Sequence, residues 1–173
     1  MGAATCQAQL GTGASVSWAN AETGIVFNLV DTQTGTTPVA IPTATGTVFS
    51  WIKNLVIAVT VTGTTAITNR TIKMSTTTAT GLALWYKAVA VASYVQAASG
   101  NRPSSSGSNG ATPAGYTSMT TSAVQYDNTS VATSGSGPNG SMAVCVLGVD
   151  NLYVGGAGSA IALPSIVLSY DEA

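Results

Sequence analysis

Residues 47–74, TVFSWIKNLVIAVTVTGTTAITNRTIKM, show a period-two pattern that predicts two long strands joined by a glycine turn at residues 62–65. The first strand is apolar on both faces of an extended chain, with Leu55, Ile57, Val59 and Val61 on one face and Val56, Ala58 and Thr60 on the other. This pattern predicts a central strand that is covered on both sides. The return strand, residues 66–74, is more polar, which predicts a position nearer a sheet edge or a contact surface.

The same alternation predicts strands at residues 5–10, 23–30, 82–87, 116–127, 142–149 and 161–170. Residues 142–149 are apolar on both faces and are predicted to lie inside a sheet. Residues 39–41 lie between Pro38 and Pro42, and proline cannot donate to a ladder, so this piece is predicted to be an edge strand or an extended loop.

Residues 84–98 leave two interpretations open. Valine and tyrosine favour a pair of strands, in keeping with the surrounding sequence. A helix is the alternative, because the segment is rich in alanine and Leu84, Ala88, Val91 and Val95 recur at helical spacing. The pattern favours the strand pair.

Two segments rich in serine and glycine, residues 99–115 and 127–141, cannot build a core and are predicted to be exposed loops. Substitutions at residues 104–109 are accordingly expected to be nearly silent. Residues 1–173 form a single domain by length. The prediction is an all-β fold, a β-sandwich or jelly roll of seven to nine strands with long Ser/Gly-rich loops.

Charged residues make up only 6% of the chain, the formal net charge is −1 and histidine is absent. The five cations are too few to neutralise a run of phosphates, so no nucleic-acid partner is expected. These cations are Lys53, Arg70, Lys73, Lys87 and Arg102. Three of them could be neighbours on the predicted hairpin of residues 47–74, and this arrangement is predicted to be a solvated face and not a functional basic patch. The longest apolar run is too short for a membrane helix, and no secretory signal pattern opens the sequence, so no membrane partner or export is expected.

The chemistry-bearing residues predict no enzyme. Without histidine, a Ser-His-Asp triad or a histidine-ligated metal cannot form, and no glycine-rich phosphate loop occurs between a strand and a helix. Asp171 and Glu172 are the only neighbouring carboxylates and are expected to be a solvated chain end. No catalytic, cofactor-binding or metal-binding residue is therefore assigned, and no cofactor is expected.

The cysteines and aromatic residues are interpreted as structural. Cys6 and Cys145 could form a disulfide if the terminal strands pair, but two buried free thiols are favoured. Trp51, Trp85 and Phe27 are predicted to be core residues, and Trp18 either a core or a contact residue. A sugar-binding platform of exposed aromatic rings is the functional alternative.

The charge-poor chain, rich in Thr, Gly, Ala and Ser, ends in the strand PSIVLSYDE at residues 164–172. In this composition and in its last strand, the chain resembles the small all-β virion structural proteins of tailed bacteriophages. That group includes capsid decoration (cement) proteins and neck and tail proteins.

The resemblance implies a non-enzymatic virion protein, made in the host cytoplasm and most directly a decoration protein. Its expected partners are the major capsid protein or other virion proteins, and it is expected to form a homo-oligomer, for which a trimer is one arrangement. A neck or tail protein is the alternative within the group. In other classes, a carbohydrate-binding or host-attachment module and a fimbria-like subunit are the alternatives.

Overall fold

The computed structural model describes residues 5–22, 25–33, 37–61, 66–130, 137–155 and 163–172. Within these ranges the chain forms eleven strands and two three-residue 3-10 turns, Val91–Ser93 and Ser99–Asn101. The strands are β1 Thr5–Thr12, β2 Ser17–Asn20, β3 Thr47–Phe49, β4 Lys53–Val61, β5 Ile67–Met74, β6 Leu82–Ala90, β7 Thr117–Ser118, β8 Val124–Asp127, β9 Gly137–Pro138, β10 Ser141–Asp150 and β11 Ile166–Glu172.

The strands form two antiparallel sheets. The large sheet has eight strands in the order β2-β1-β4-β10-β6-β7, with β3 paired to β10 and β9 paired to β4. The small sheet has the order β11-β5-β8. The predicted all-β, sandwich-like fold is confirmed, and β7 and β9, of two residues each, account for the strands beyond the predicted range.

The main core lies between the sheets. Alternate residues of β4, β10 and β6 point to this side and include Leu55, Cys145 and Leu84, while Ile72 and Tyr126 face them from the small sheet. The residues of this cluster are 6% exposed or less. Burial of apolar surface, at roughly 25 cal/mol per Å², stabilises the packing of the two sheets.

The outer face of the large sheet carries a second apolar layer, as the two-sided patterns of β4 and β10 predicted. Val56, Met142 and Val144 are buried there, and the chain after β6 folds back over them, with Ala97 buried in the same cluster. Trp18, Trp51 and Tyr94 are partly buried against this layer. The prediction that residues 142–149 lie inside a sheet is confirmed, since β10 pairs with both β4 and β6.

The predicted hairpin over residues 47–74 is wrong in its pairing. β4 belongs to the large sheet and β5 to the small sheet. The two strands therefore do not pair as a hairpin, and the chain passes from one sheet to the other between them. β5 is also the central strand of its sheet and not an edge. The polar pattern of β5 predicted exposure, but Arg70 on this strand is buried in an ion pair with Asp127. The predicted turn at residues 62–65 lies outside the described residues.

Several local predictions differ from the structure. Residues 25–30 form no strand: Phe27 is buried, but the backbone N–H groups of Val26 and Leu29 donate within the loop, to Gln33 and Thr37. Residues 39–41 are an extended loop. The predicted strand at residues 116–127 is two separate strands, β7 and β8.

In residues 84–98 neither interpretation holds in full. β6 continues to Ala90, and a 3-10 turn and an extended segment without strand pairing follow it.

The predicted loop at residues 99–115 is largely exposed but is anchored to the large sheet. The backbones of Thr47 and Ser106 exchange two hydrogen bonds of 2.9 Å. In addition, Asn109 Oδ1 accepts a hydrogen bond of 2.8 Å from the backbone N–H of Gly46. The loop therefore holds a fixed position beside β3 and β6.

Candidate functional site

Four charged side chains are buried in the described part of the chain. Lys53, Arg70, Asp127 and Asp150 are 2%, 0%, 6% and 6% exposed. The prediction that the cations of residues 47–74 form a solvated face is thus wrong for Lys53 and Arg70. Both serve the fold, because each is held by several fixed acceptors.

Lys53 lies on β4 under the loop that precedes β3. Its ammonium group donates hydrogen bonds of 2.9 Å to Asn28 Oδ1 and to the carbonyl oxygens of Val30 and Thr32. Burial lowers the pKa of Lys53 to about 8, while the charge of Asp31 acts in the opposite direction. This side chain fastens the loop onto the sheet and is not accessible to a ligand.

Arg70 forms a buried ion pair with Asp127. The guanidinium also donates a hydrogen bond of 2.6 Å to the carbonyl oxygen of Asn139. Asp127 accepts hydrogen bonds from the backbone N–H of Thr129, at 2.7 Å, and from that of Ser141. The pair therefore joins β5 and β8 of the small sheet to the turn that leads into β10 of the large sheet.

Two of the remaining cations, Lys87 and Arg102, line one surface groove of about 420 Å³. The groove lies between the anchored loop and the outer face of the large sheet. Its apolar walls include Phe49, Pro103 and Tyr116, and its polar lining includes Asn101, Ser104, Ser106 and Thr112. We call it the Lys87/Arg102 groove.

The cations of the groove are held by neutral groups. Lys87 Nζ lies 4.8 Å from the centroid of the Tyr116 ring, in a cation–π contact. Arg102 Nη1 lies 3.5 Å from the carbonyl oxygen of Phe49, to which it donates. Burial raises the pKa of Tyr116 to about 12. The ion pair of Arg70 with Asp127 is the one salt bridge in the described ranges, so neither groove cation has a carboxylate partner there.

No protein-family model, no curated protein and no solved structure matches the chain. The groove and its chemistry are therefore interpreted from its own residues.

The other sequence-predicted features lie apart from the groove or are structural. Cys6 and Cys145 are free thiols, the first half-buried and the second buried. Trp85 and Phe27 are buried as predicted, whereas Trp51 is only half-buried.

Trp18 is a contact residue of the outer layer. It is half-buried and lies edge-on to Tyr94, with 5.9 Å between ring centroids. Asp171 and Glu172 are exposed, and Asp171 accepts a hydrogen bond of 2.7 Å from Asn69.

Among the described residues no group of three or more His, Cys, Asp or Glu could hold a metal ion. None of the helical segments described is long and apolar enough to cross a membrane.

Sequence reasoning missed the groove. Lys87, Arg102 and Tyr116 are distant in sequence and belong to no motif, and the fold of the loop brings them together. The one local indication of the groove in the sequence is Arg102, at the start of a Ser/Gly-rich loop.

Proposed function

We propose that this protein is a non-enzymatic structural protein of a bacteriophage virion, most directly a decoration protein on the capsid. The observation that carries the proposal is that several of the few charged side chains of this β-sandwich are buried, which leaves little charge on its surface. Lys53, Arg70, Asp127 and Asp150 are buried, and the exposed charged residues in the described ranges are Glu22, Asp171 and Glu172. Such a surface suits broad, neutral contact with other proteins.

Neutral contact would stabilise a shell in a simple way. Apolar burial contributes roughly 25 cal/mol per Å², and Thr, Ser and Asn side chains add hydrogen bonds at the rim. The described surface offers exposed apolar side chains for such contacts, among them Leu152 at 52% and Val154 at 97% exposed. A molecule bound across neighbouring capsid subunits raises the free energy needed to separate them.

The proposed partners are the major capsid protein or other virion proteins, with a homo-oligomer, such as a trimer, as the bound form. A neck or tail position is the alternative within the same class. A carbohydrate-binding or host-attachment module is the alternative in another class, and the Lys87/Arg102 groove is the feature that favours it.

The test is to locate and count the protein in purified virions by cryo-electron microscopy and quantitative gel analysis. A decoration protein covers the shell at a copy number comparable with that of the major capsid protein. A small number of copies at one vertex or on the tail would support the neck or tail alternative, and absence from the particle would overturn the proposal. Metal analysis and hydrolase screens on sugars, esters and phosphates test the non-enzymatic part.

A further inference from the structure

The Lys87/Arg102 groove concentrates positive charge on a protein that has little of it. Of the cations that are not buried, Lys87 and Arg102 lie in this groove, and Lys73 lies on β5 of the small sheet. Lys87 shares the outer face of β6 with Trp85, because the two are separated by two positions in a strand.

Of the exposed acids in the described ranges, Asp171 and Glu172 lie on β11, in the sheet that packs against the inner face, and Glu22 follows β2 at the far edge of the large sheet. Asp171 and Glu172 therefore lie on the other side of the large sheet from the groove. Asp150 is buried beside the loop that forms the groove, and its carboxylate accepts hydrogen bonds from the backbone N–H groups of Gly110 and Leu152.

The rest of the lining can form hydrogen bonds in both directions. Asn101 carries an amide, and Ser104, Ser106 and Thr112 carry hydroxyl groups, each of which can donate and accept. The Tyr116 ring and Pro103 supply apolar surface. The volume of about 420 Å³ falls in the range of small-ligand sites, roughly 300–1,000 Å³.

We propose that the Lys87/Arg102 groove binds a carboxylated saccharide, such as a uronic-acid oligomer. Lys87 and Arg102 bind the carboxylate, while the amide and hydroxyl side chains of the lining bind the sugar hydroxyls. The apolar faces of the sugar rings lie against the tyrosine and proline walls.

A saccharide fits this lining better than an acidic peptide does. Sugar hydroxyl groups both donate and accept, and so do the amide and hydroxyl groups of the lining. The side chains of an acidic peptide offer acceptors only, so its donors are limited to its backbone N–H groups. The inference does not rest on the virion proposal, because a shell protein and a protein of any other class could carry such a site.

The test is to titrate the full chain with trigalacturonate at low ionic strength and to measure binding by isothermal titration calorimetry. A neutral galactose trisaccharide and triglutamate are the comparison ligands. We expect binding of trigalacturonate, weakened about tenfold or more by Lys87→Gln or Arg102→Gln, since a charge-assisted hydrogen bond is lost. Lys73→Gln is the matched control and should bind as the wild type does.

Lys87→Arg keeps the charge and should retain most of the affinity, and unchanged melting temperatures of the variants show that folding is intact. Equal binding of the neutral trisaccharide would overturn the role of the carboxylate. Tighter binding of triglutamate would overturn the saccharide in favour of an acidic peptide. Absence of trigalacturonate binding, or binding unaffected by both glutamine substitutions, would overturn the site.

Discussion

Arg70 and Asp127 lie directly opposite each other in the register between β5 and β8 and form an ion pair inside the sandwich. The ladder is irregular at this point, with a register shift between Arg70 and Thr71. A buried pair of this kind is not by itself a net source of stability, because both charges lose their hydration. Loss of one partner is nevertheless costly, because it leaves an uncompensated buried charge.

We expect Asp127→Asn to lower the free energy of unfolding by about 3–5 kcal/mol, because it leaves the guanidinium of Arg70 buried without its counter-charge. Urea denaturation of both proteins at neutral pH measures the difference. Asp171→Asn is the control: Asp171 is exposed, and its substitution should change stability by no more than about 0.5 kcal/mol. Similar effects of the two substitutions would contradict a structural role for the pair.

The same pair predicts a loss of stability in acid. Burial alone would raise the pKa of Asp127, but hydrogen bonds from Thr129 and Ser141 and the charge of Arg70 outweigh it and hold the pKa below its ordinary value. The unfolded chain therefore takes up this proton first as the pH falls. The stability contributed by the carboxylate is present above about pH 4 and is lost as the pH falls through the folded-state pKa.

Thermal unfolding between neutral pH and about pH 2 measures this dependence. Asp127→Asn, which cannot titrate, should show a shallower decline than the wild type over the acidic part of the range. A decline of the same slope in both proteins would assign the acid sensitivity to other carboxylates.

The sequence was most informative where burial alone decides the structure. Val56 and Val144 lie in runs that are apolar at every position, and such runs occur where both faces of a strand are covered. The large sheet has this arrangement, because the chain after β6 covers its outer face. The all-β class followed from the same patterns.

Pairing and long-range contacts could not be predicted in this way. Periodicity around Ile67 predicts a strand but not its neighbour, and β5 pairs with β8 and β11 and not with β4. Phe27 shares one face of an extended chain with Ile25 and Leu29, as in a strand, yet it contributes to the core from a loop. The groove depends on Lys87 and Arg102 meeting across a loop whose path no local pattern determines.

Val59→Asp should prevent folding. Val59 is 1% exposed and packs with Ile57 and Ile67 between the two sheets. An unpaired carboxylate buried there costs several kcal/mol, and the total stability of a folded domain is only roughly 5–15 kcal/mol. Circular dichroism and solubility of the purified variant measure the outcome. Val154→Asp is the matched control, since Val154 is 97% exposed and should tolerate the change. A soluble, cooperatively melting Val59→Asp protein would show that this residue is not in the core.

Substitutions in the loop at residues 104–109 should differ in their effect on stability, whereas the sequence predicted that all of them would be nearly silent. Asn109 accepts a hydrogen bond from Gly46 and donates one of 2.7 Å to Asn151, so Asn109→Ala should destabilise by about 1–2 kcal/mol. Ser104 is exposed, and Ser104→Ala should stay within about 0.5 kcal/mol of the wild type. Denaturant midpoints measure both changes. Equal midpoints for the two variants would show that the anchoring bonds add nothing to stability.

Attachment of the protein to virions should resist salt. Exposed ion pairs contribute only about 0–1 kcal/mol each, and a chain with five basic and six acidic residues, four of them buried, cannot cover a broad interface with such pairs. Apolar burial and hydrogen bonds between neutral groups are not screened by ions. Particles that carry the protein can be washed at physiological ionic strength and at about 1 M NaCl, where the Debye length is roughly 3 Å, and the retained protein measured on a gel. We expect the same amount of protein to remain on the particles in both washes. Binding of trigalacturonate in the Lys87/Arg102 groove, in contrast, should be lost at high salt. Release of the protein by salt alone would contradict neutral attachment and would implicate the groove cations in the contact with the shell.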